Sequence, residues 1–141
     1  MPADQSATDS KVVSFSNGEH YHWGIKCDGW HLVKSPQLSV IQEKIPPGSG
    51  ETRHYHKRAE QFFFIIAGVA TMELDGNIHH VRPMQGIHVP AGKWHRISND
   101  ASTDLIITVT STPPSHGDRV EHEHNNSGRC EGAQSNSADG Q

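Results

Sequence analysis

The chain is 141 residues long, one domain's worth of sequence, with a formal net charge of -4 and its 12 lysines and arginines scattered along it. That balance leaves no electrostatic footprint for nucleic acid, and no apolar run approaches the roughly 20 residues that a membrane-spanning helix needs. Two cysteines, Cys27 and Cys130, are too few for a disulfide framework, and the opening MPADQSATDS lacks the charged-then-apolar layout of a signal peptide, so a soluble protein in the reducing cytoplasm is expected.

Residues 1–11 are small and polar and read as a disordered arm. From Val12 the pattern is strand-like. EHYHWGIKCDGWHLV gives two extended pieces around Cys27-Asp28-Gly29, and LSVIQEKIPPG gives a third strand closed by Pro46-Pro47-Gly48. A strand carrying His54 and His56 follows, then QFFFIIAG, then VATMELDGNIHHV, where Asp75-Gly76 between two alternating segments signals a hairpin. GIHVPAG, KWHRISN and TDLIITVTS complete a series of about nine short strands with no amphipathic helix, which predicts an all-β sandwich or barrel over residues 12–112. Residues 113–141 are too polar to fold alone and read as a disordered tail whose first few residues can lie along the barrel.

The stretch GSGETRHYHKRAEQFFFIIAG, residues 48–68, concentrates the chemistry. Two residues apart in a strand, His54 and His56 share one face at a spacing of roughly 7 Å along the backbone, which suits two ligands of one metal ion. A third polar residue follows, Glu60 or Gln61. His95 stands just past the turn Pro90-Ala91-Gly92.

The two clusters resemble the motifs of the cupin superfamily, G-x5-H-x-H-x3,4-E-x6-G and G-x5-P-x-G-x2-H-x3-N. Gly48, His54 and His56 fit the first, and Pro90, Gly92, His95 and Asn99 fit the second. The resemblance implies a cupin-type β-barrel (double-stranded β-helix, or jelly roll) with one divalent transition metal per chain, Fe, Mn, Ni, Cu or Zn, held by His54, His56, His95 and one further residue. The six-residue spacing before Gly68 points to Gln61, the preferred fourth ligand, with Glu60 as the alternative. A neutral amide in place of a carboxylate leaves the site with a formal charge of about +2, which favours polarised carbonyl or anionic oxygen ligands and holds the metal less tightly. Met84 stands at the first glycine of the second motif, so Gly86 is expected to supply that turn.

The resemblance further implies a metal-dependent enzyme, of dioxygenase, isomerase or lyase type, acting on a small oxygen-rich chelating substrate. The alternative is a non-catalytic module that senses or binds a small ligand. Phe63 and Ile65 would form a dry wall beside substrate, and His88, in the strand before the second motif, is a candidate catalytic acid or base. Alternation turns Tyr55 and Trp94 outward. His20 and His22 repeat the H-x-H spacing but read as ordinary strand residues, because nothing downstream completes a site. His79 and His80 read as exposed, Cys27 as buried in a turn, and His122, His124 and Cys130 as exposed tail residues. Both faces of QFFFIIAG are apolar, so its outer face needs a cover, from the N-terminal strands, a second subunit or both, and the resemblance to cupins implies a homodimer.

Overall fold

The computed structural model describes residues 10–24, 26–115 and 117–121. Among them are eleven strands and no helix: β1 (Glu19–Trp23), β2 (Cys27–Lys34), β3 (Ser39–Ile45), β4 (His54–His56), β5 (Glu60–Ala67), β6 (Ala70–Leu74), β7 (Asn77–Val81), β8 (Gly86–Val89), β9 (His95–Ser98), β10 (Leu105–Thr112) and β11 (Arg119–Glu121). They form a six-stranded sheet, ordered β1-β2-β3-β10-β5-β8, and a five-stranded sheet, ordered β11-β4-β9-β6-β7. Every pairing is antiparallel.

Alternation along each strand sorts side chains between the faces. In β10, Leu105, Ile107, Val109 and Ser111 are buried while the residues between them are only partly so. Phe63 and Ile65 of β5, Met72 of β6, Ile97 of β9 and Ile107 of β10 belong to one shared core between the sheets. Each such side chain contributes about 1.5–3 kcal/mol by leaving water.

The Asp75-Gly76 hairpin forms as its sequence predicts. Both residues have positive φ, 51° and 90°, the conformation that lets a two-residue turn match the twist of β6 and β7. The expectation for Gly86 is corrected. Met84 itself takes the left-handed conformation, φ 69°, and its N–H donates to the Ile65 carbonyl at 2.7 Å. Gly86 lies in β8, where a Cβ would fall 2.3 Å from Phe62 Cζ, so its glycine makes room for an aromatic ring and not for a turn.

Past residue 112 the chain does not leave the sheets. The chain returns as β11, a further strand of the five-stranded sheet, with Arg119 opposite His56 and Glu121 opposite His54. Asp118 anchors the return: its carboxylate accepts hydrogen bonds from the backbone N–H of Lys57 at 3.1 Å and of Arg58 and Ala59 at 2.9 Å each. At the other end the first strand begins at Glu19, after a turn in which Gly18 N–H donates to Ser14 carbonyl oxygen. The expected disorder of residues 1–9 and 122–141, with His122, His124 and Cys130, lies outside the described residues.

Candidate metal centre

Three buried imidazoles meet on the inner face of the five-stranded sheet. β4 supplies His54 and His56 two residues apart, and β9 supplies His95 directly opposite His54. The ring centroids of His54 and His95 are 4.3 Å apart, those of His54 and His56 4.9 Å, and one nitrogen of each ring lies within 4.8 Å of the others.

Backbone carbonyls orient two of the rings. His54 Nδ1 donates to the Thr52 carbonyl oxygen at 2.7 Å and His95 Nδ1 to that of Lys93 at 3.0 Å, which leaves each Nε2 with its lone pair turned inward. Neither Nε2 has a protein partner. Burial is the main force pushing the His54 pKa well below 6.5, with the Arg119 guanidinium and the neighbouring histidines adding to it. Burial likewise lowers His95 to about 4, against the opposing effect of its bond to Lys93. Both rings are therefore neutral at physiological pH. Because the unfolded chain binds these protons more readily, the two histidines cost stability as pH falls below about 6.5.

Gln61 lies on the inner face of the other sheet. It is buried on β5, beside Val89 and Ser111 in the ladder, and its Nε2 donates to Ser111 Oγ at 3.0 Å. Its Oε1 is buried without a partner. Phe63, the next inward residue of β5, meets the His95 ring edge to face at 5.9 Å, and Ile65 belongs to the same core.

Glu60 and His88 are elsewhere. Glu60 precedes Gln61 by one residue and so points to the outer face, where its carboxylate lies 2.8 Å from His88 Nε2 with both side chains 55% exposed. His88 pairs with the outward Phe62, so the strand parity that buries Val89 excludes His88 from the cluster. Tyr55 and Trp94 also face away: their rings stack edge to face at 4.8 Å, with the Arg53 guanidinium 5.0 Å over Trp94. Cys27 is fully buried at the start of β2, and His79 and His80 are exposed.

Two groups at the site have no signal in the sequence motifs. Arg119 lies opposite His56, so its side chain shares the sheet face that carries His54 and His56, and its Nε is 2.9 Å from Glu121 Oε2. Its charge adds to burial in depressing both His54 and His95. Glu51 is fully buried where β4 parts from β9. Its backbone N–H donates to Ile97 carbonyl oxygen at 3.1 Å, and its Oε2 accepts from Ile97 N–H at 3.0 Å, replacing a missing rung of the ladder.

Burial raises the Glu51 pKa from 4.5 to about 7, against the pull of Arg119, the Ile97 N–H and Arg96. Between those values the folded chain holds a proton that the unfolded chain has lost. Stability from this group therefore falls as pH rises from about 4.5 to about 7, by about 3 kcal/mol in all. In chelator-treated protein, urea titrations near pH 5 and pH 8 are expected to show Glu51→Gln gaining stability over wild type at the higher pH. The histidine contributions, which run the other way, cancel in that comparison. Parallel pH profiles would place the proton elsewhere.

A family profile described as a cupin domain matches residues 41–111, just over half of the chain. An uncharacterised protein of Methanocaldococcus jannaschii is 30% identical over 62% of this chain and 71% of its own length. Quercetin 2,3-dioxygenase of Bacillus subtilis is 29% identical over 52% of this chain but only 22% of the enzyme. Among solved structures, the polyketide cyclase RemF of Streptomyces resistomycificus superposes with a TM-score of 0.71 at 15% identity, over 83% of this chain and 88% of that one.

Proposed function

The chain belongs to the cupin family, and from that premise we propose that it is a metal-dependent enzyme acting on a small, oxygen-rich, chelating substrate. His54, His56, His95 and Gln61 would hold one divalent transition ion, Fe, Mn, Ni, Cu or Zn. The observation that carries this is a set of buried acceptors with no donor. His54 Nε2, His95 Nε2 and Gln61 Oε1 all lack a protein partner, although leaving a buried polar atom unsatisfied costs about 1–3 kcal/mol. Imidazole nitrogens with an amide oxygen are a donor set that fits such an ion. A bound ion would supply Lewis acidity and, if redox-active, one-electron chemistry.

The chain's own residues define what could be held there. The ligand set is uncharged, so an ion there would keep its full charge and favour an anionic or strongly polarised oxygen, and the Arg119 guanidinium, paired with Glu121, lies on the same sheet face. Phe63 beside His95 excludes water from one side. The names of the quercetin dioxygenase and the polyketide cyclase both point to oxygen-rich substrates, which accords with this chemistry. If the site binds such molecules without converting them, the chain is a ligand-binding or sensing module instead.

The test is a panel of small chelating acids, enols and flavonols against metal-loaded protein, following both binding and product. Binding with turnover is expected. Arg119→Ala should weaken an anionic ligand about tenfold, the value of one charge-assisted hydrogen bond, while a neutral chelator changes little. Binding without turnover would favour the sensing role, and equal losses for both ligands would remove Arg119 from substrate selection.

A homodimer belongs to the same proposal. Phe62 and Ile66 on the outer face of β5 are 43% and 44% exposed, and Phe62 stacks on Phe64. Light scattering is expected to give twice the chain mass for wild type and the single mass for Phe62→Glu. A wild-type monomer would end this part of the reading.

A further inference from the structure

The hairpin of β1 and β2 carries a second convergence of ligand atoms, on the outer face of the six-stranded sheet. His20 and His22 point outward from β1, and Asp28 points outward from β2 directly opposite His22. His20 Nε2 lies 2.8 Å and His22 Nδ1 3.1 Å from the same Asp28 Oδ1, and one ligand atom of each residue lies within 4.8 Å of the others. We propose that His20, His22 and Asp28 form a surface metal site, separate from the barrel interior, that takes zinc or a similar borderline divalent cation.

The donor set is two imidazole nitrogens and one carboxylate oxygen, which matches zinc, with the fourth position left to water. Tetrahedral zinc bonds of about 2.0–2.1 Å put neighbouring donors about 3.3 Å apart. The observed separations from Asp28 are slightly shorter, so only a small outward movement is needed. His22 is 78% and His20 38% exposed, and neither movement disturbs the core.

The hairpin holds the geometry in place. On its inner face Tyr21 packs over Gly29, where a Cβ would fall 2.3 Å from the tyrosine ring, so the register that sets His22 against Asp28 is fixed by fit. On the outer face the Trp30 ring lies 5.2 Å from that of His20, and the His20 and His22 rings meet edge to face at 4.7 Å. Lys44 of β3 sits opposite Asp28 on the other side, with its Nζ 3.9 Å from Asp104 Oδ2. The H-x-H spacing was visible in the sequence. Its third ligand was not, because it reaches the site across a hairpin.

The site makes no use of the barrel cluster, so it can be tested independently. The full chain is dialysed against zinc and the bound metal counted, for wild type, Asp28→Asn, His20→Ala/His22→Ala and His54→Ala/His56→Ala. One equivalent is expected to be lost in each of the first two variants, and that loss should add to whatever His54→Ala/His56→Ala removes. Asp28→His, which restores a third donor, should recover the equivalent. Tail histidines contribute equally throughout. Unchanged zinc content in Asp28→Asn, a nearly isosteric exposed change with circular dichroism as its check on folding, would overturn the proposal.

Discussion

Gln61→Ala is expected to lower metal retention about tenfold or more, while Glu60→Ala leaves it unchanged. The two side chains are neighbours in sequence but lie on opposite faces of β5. Gln61 is buried on the inner face, with Ser111 fixing its Nε2 and leaving Oε1 bare, whereas Glu60 is solvated and paired with His88. Losing one ligand should cost at least the 10–100-fold that disturbing a ligand's hydrogen-bond partner typically costs. Gln61→Glu should tighten the metal, because a carboxylate cancels one of the ion's charges, and should weaken anionic ligands by the same reasoning. A metal competition titration reads all three variants. If Glu60→Ala lost metal and Gln61→Ala did not, the ligand role would pass to Glu60.

Asp118→Ala is expected to destabilise the fold by about 3 kcal/mol and to loosen the metal as well, the two effects arising from one turn. Three backbone N–H groups, of Lys57, Arg58 and Ala59, converge on the Asp118 carboxylate in the loop between His56 and Gln61. Burial opposes ionisation of Asp118, but these bonds and the nearby His56 hold its pKa below the ordinary value of 3.8. Its contribution is thus complete above that value and is lost as pH falls through the lower folded one. Without the carboxylate, β11 loses its anchor and Arg119 loses its place opposite His56. Asn should be intermediate, since an amide oxygen offers neither charge nor a second acceptor. A denaturant midpoint unchanged in Asp118→Ala would show that water replaces the carboxylate without loss.

How much of this was legible depends on whether the signal was local. The period-2 spacing of His54 and His56 fixed their common face, the Asp-Gly pair fixed a hairpin, the motif spacing to Gly68 singled out Gln61, and alternation from the histidines turned Tyr55 and Trp94 away from them. His88 was open to either face in sequence, and only its pairing with Phe62 showed that it lies outside. Non-local partners left no trace. β11 is three residues long in a polar stretch, so it has no apolar pattern to read, and what holds it is a carboxylate reaching a loop about 60 residues earlier. Glu51 carries no signal in the sequence, because its burial accompanies a gap in the β4–β9 ladder that spacing does not reveal. Met84 departed from the glycine of the motif, yet the backbone kept the glycine's conformation and left Gly86 a packing role.

The most direct test of the central claim is elemental analysis of the untagged full chain beside a His54→Ala/His56→Ala control, both after incubation with Fe, Mn, Ni, Cu and Zn. Retaining β11 is necessary, since it holds the turn between His56 and Gln61. The account predicts about one more transition ion per chain in wild type than in the control, with its identity separating redox from Lewis-acid chemistry. Equal metal content in a control that folds as wild type would contradict it.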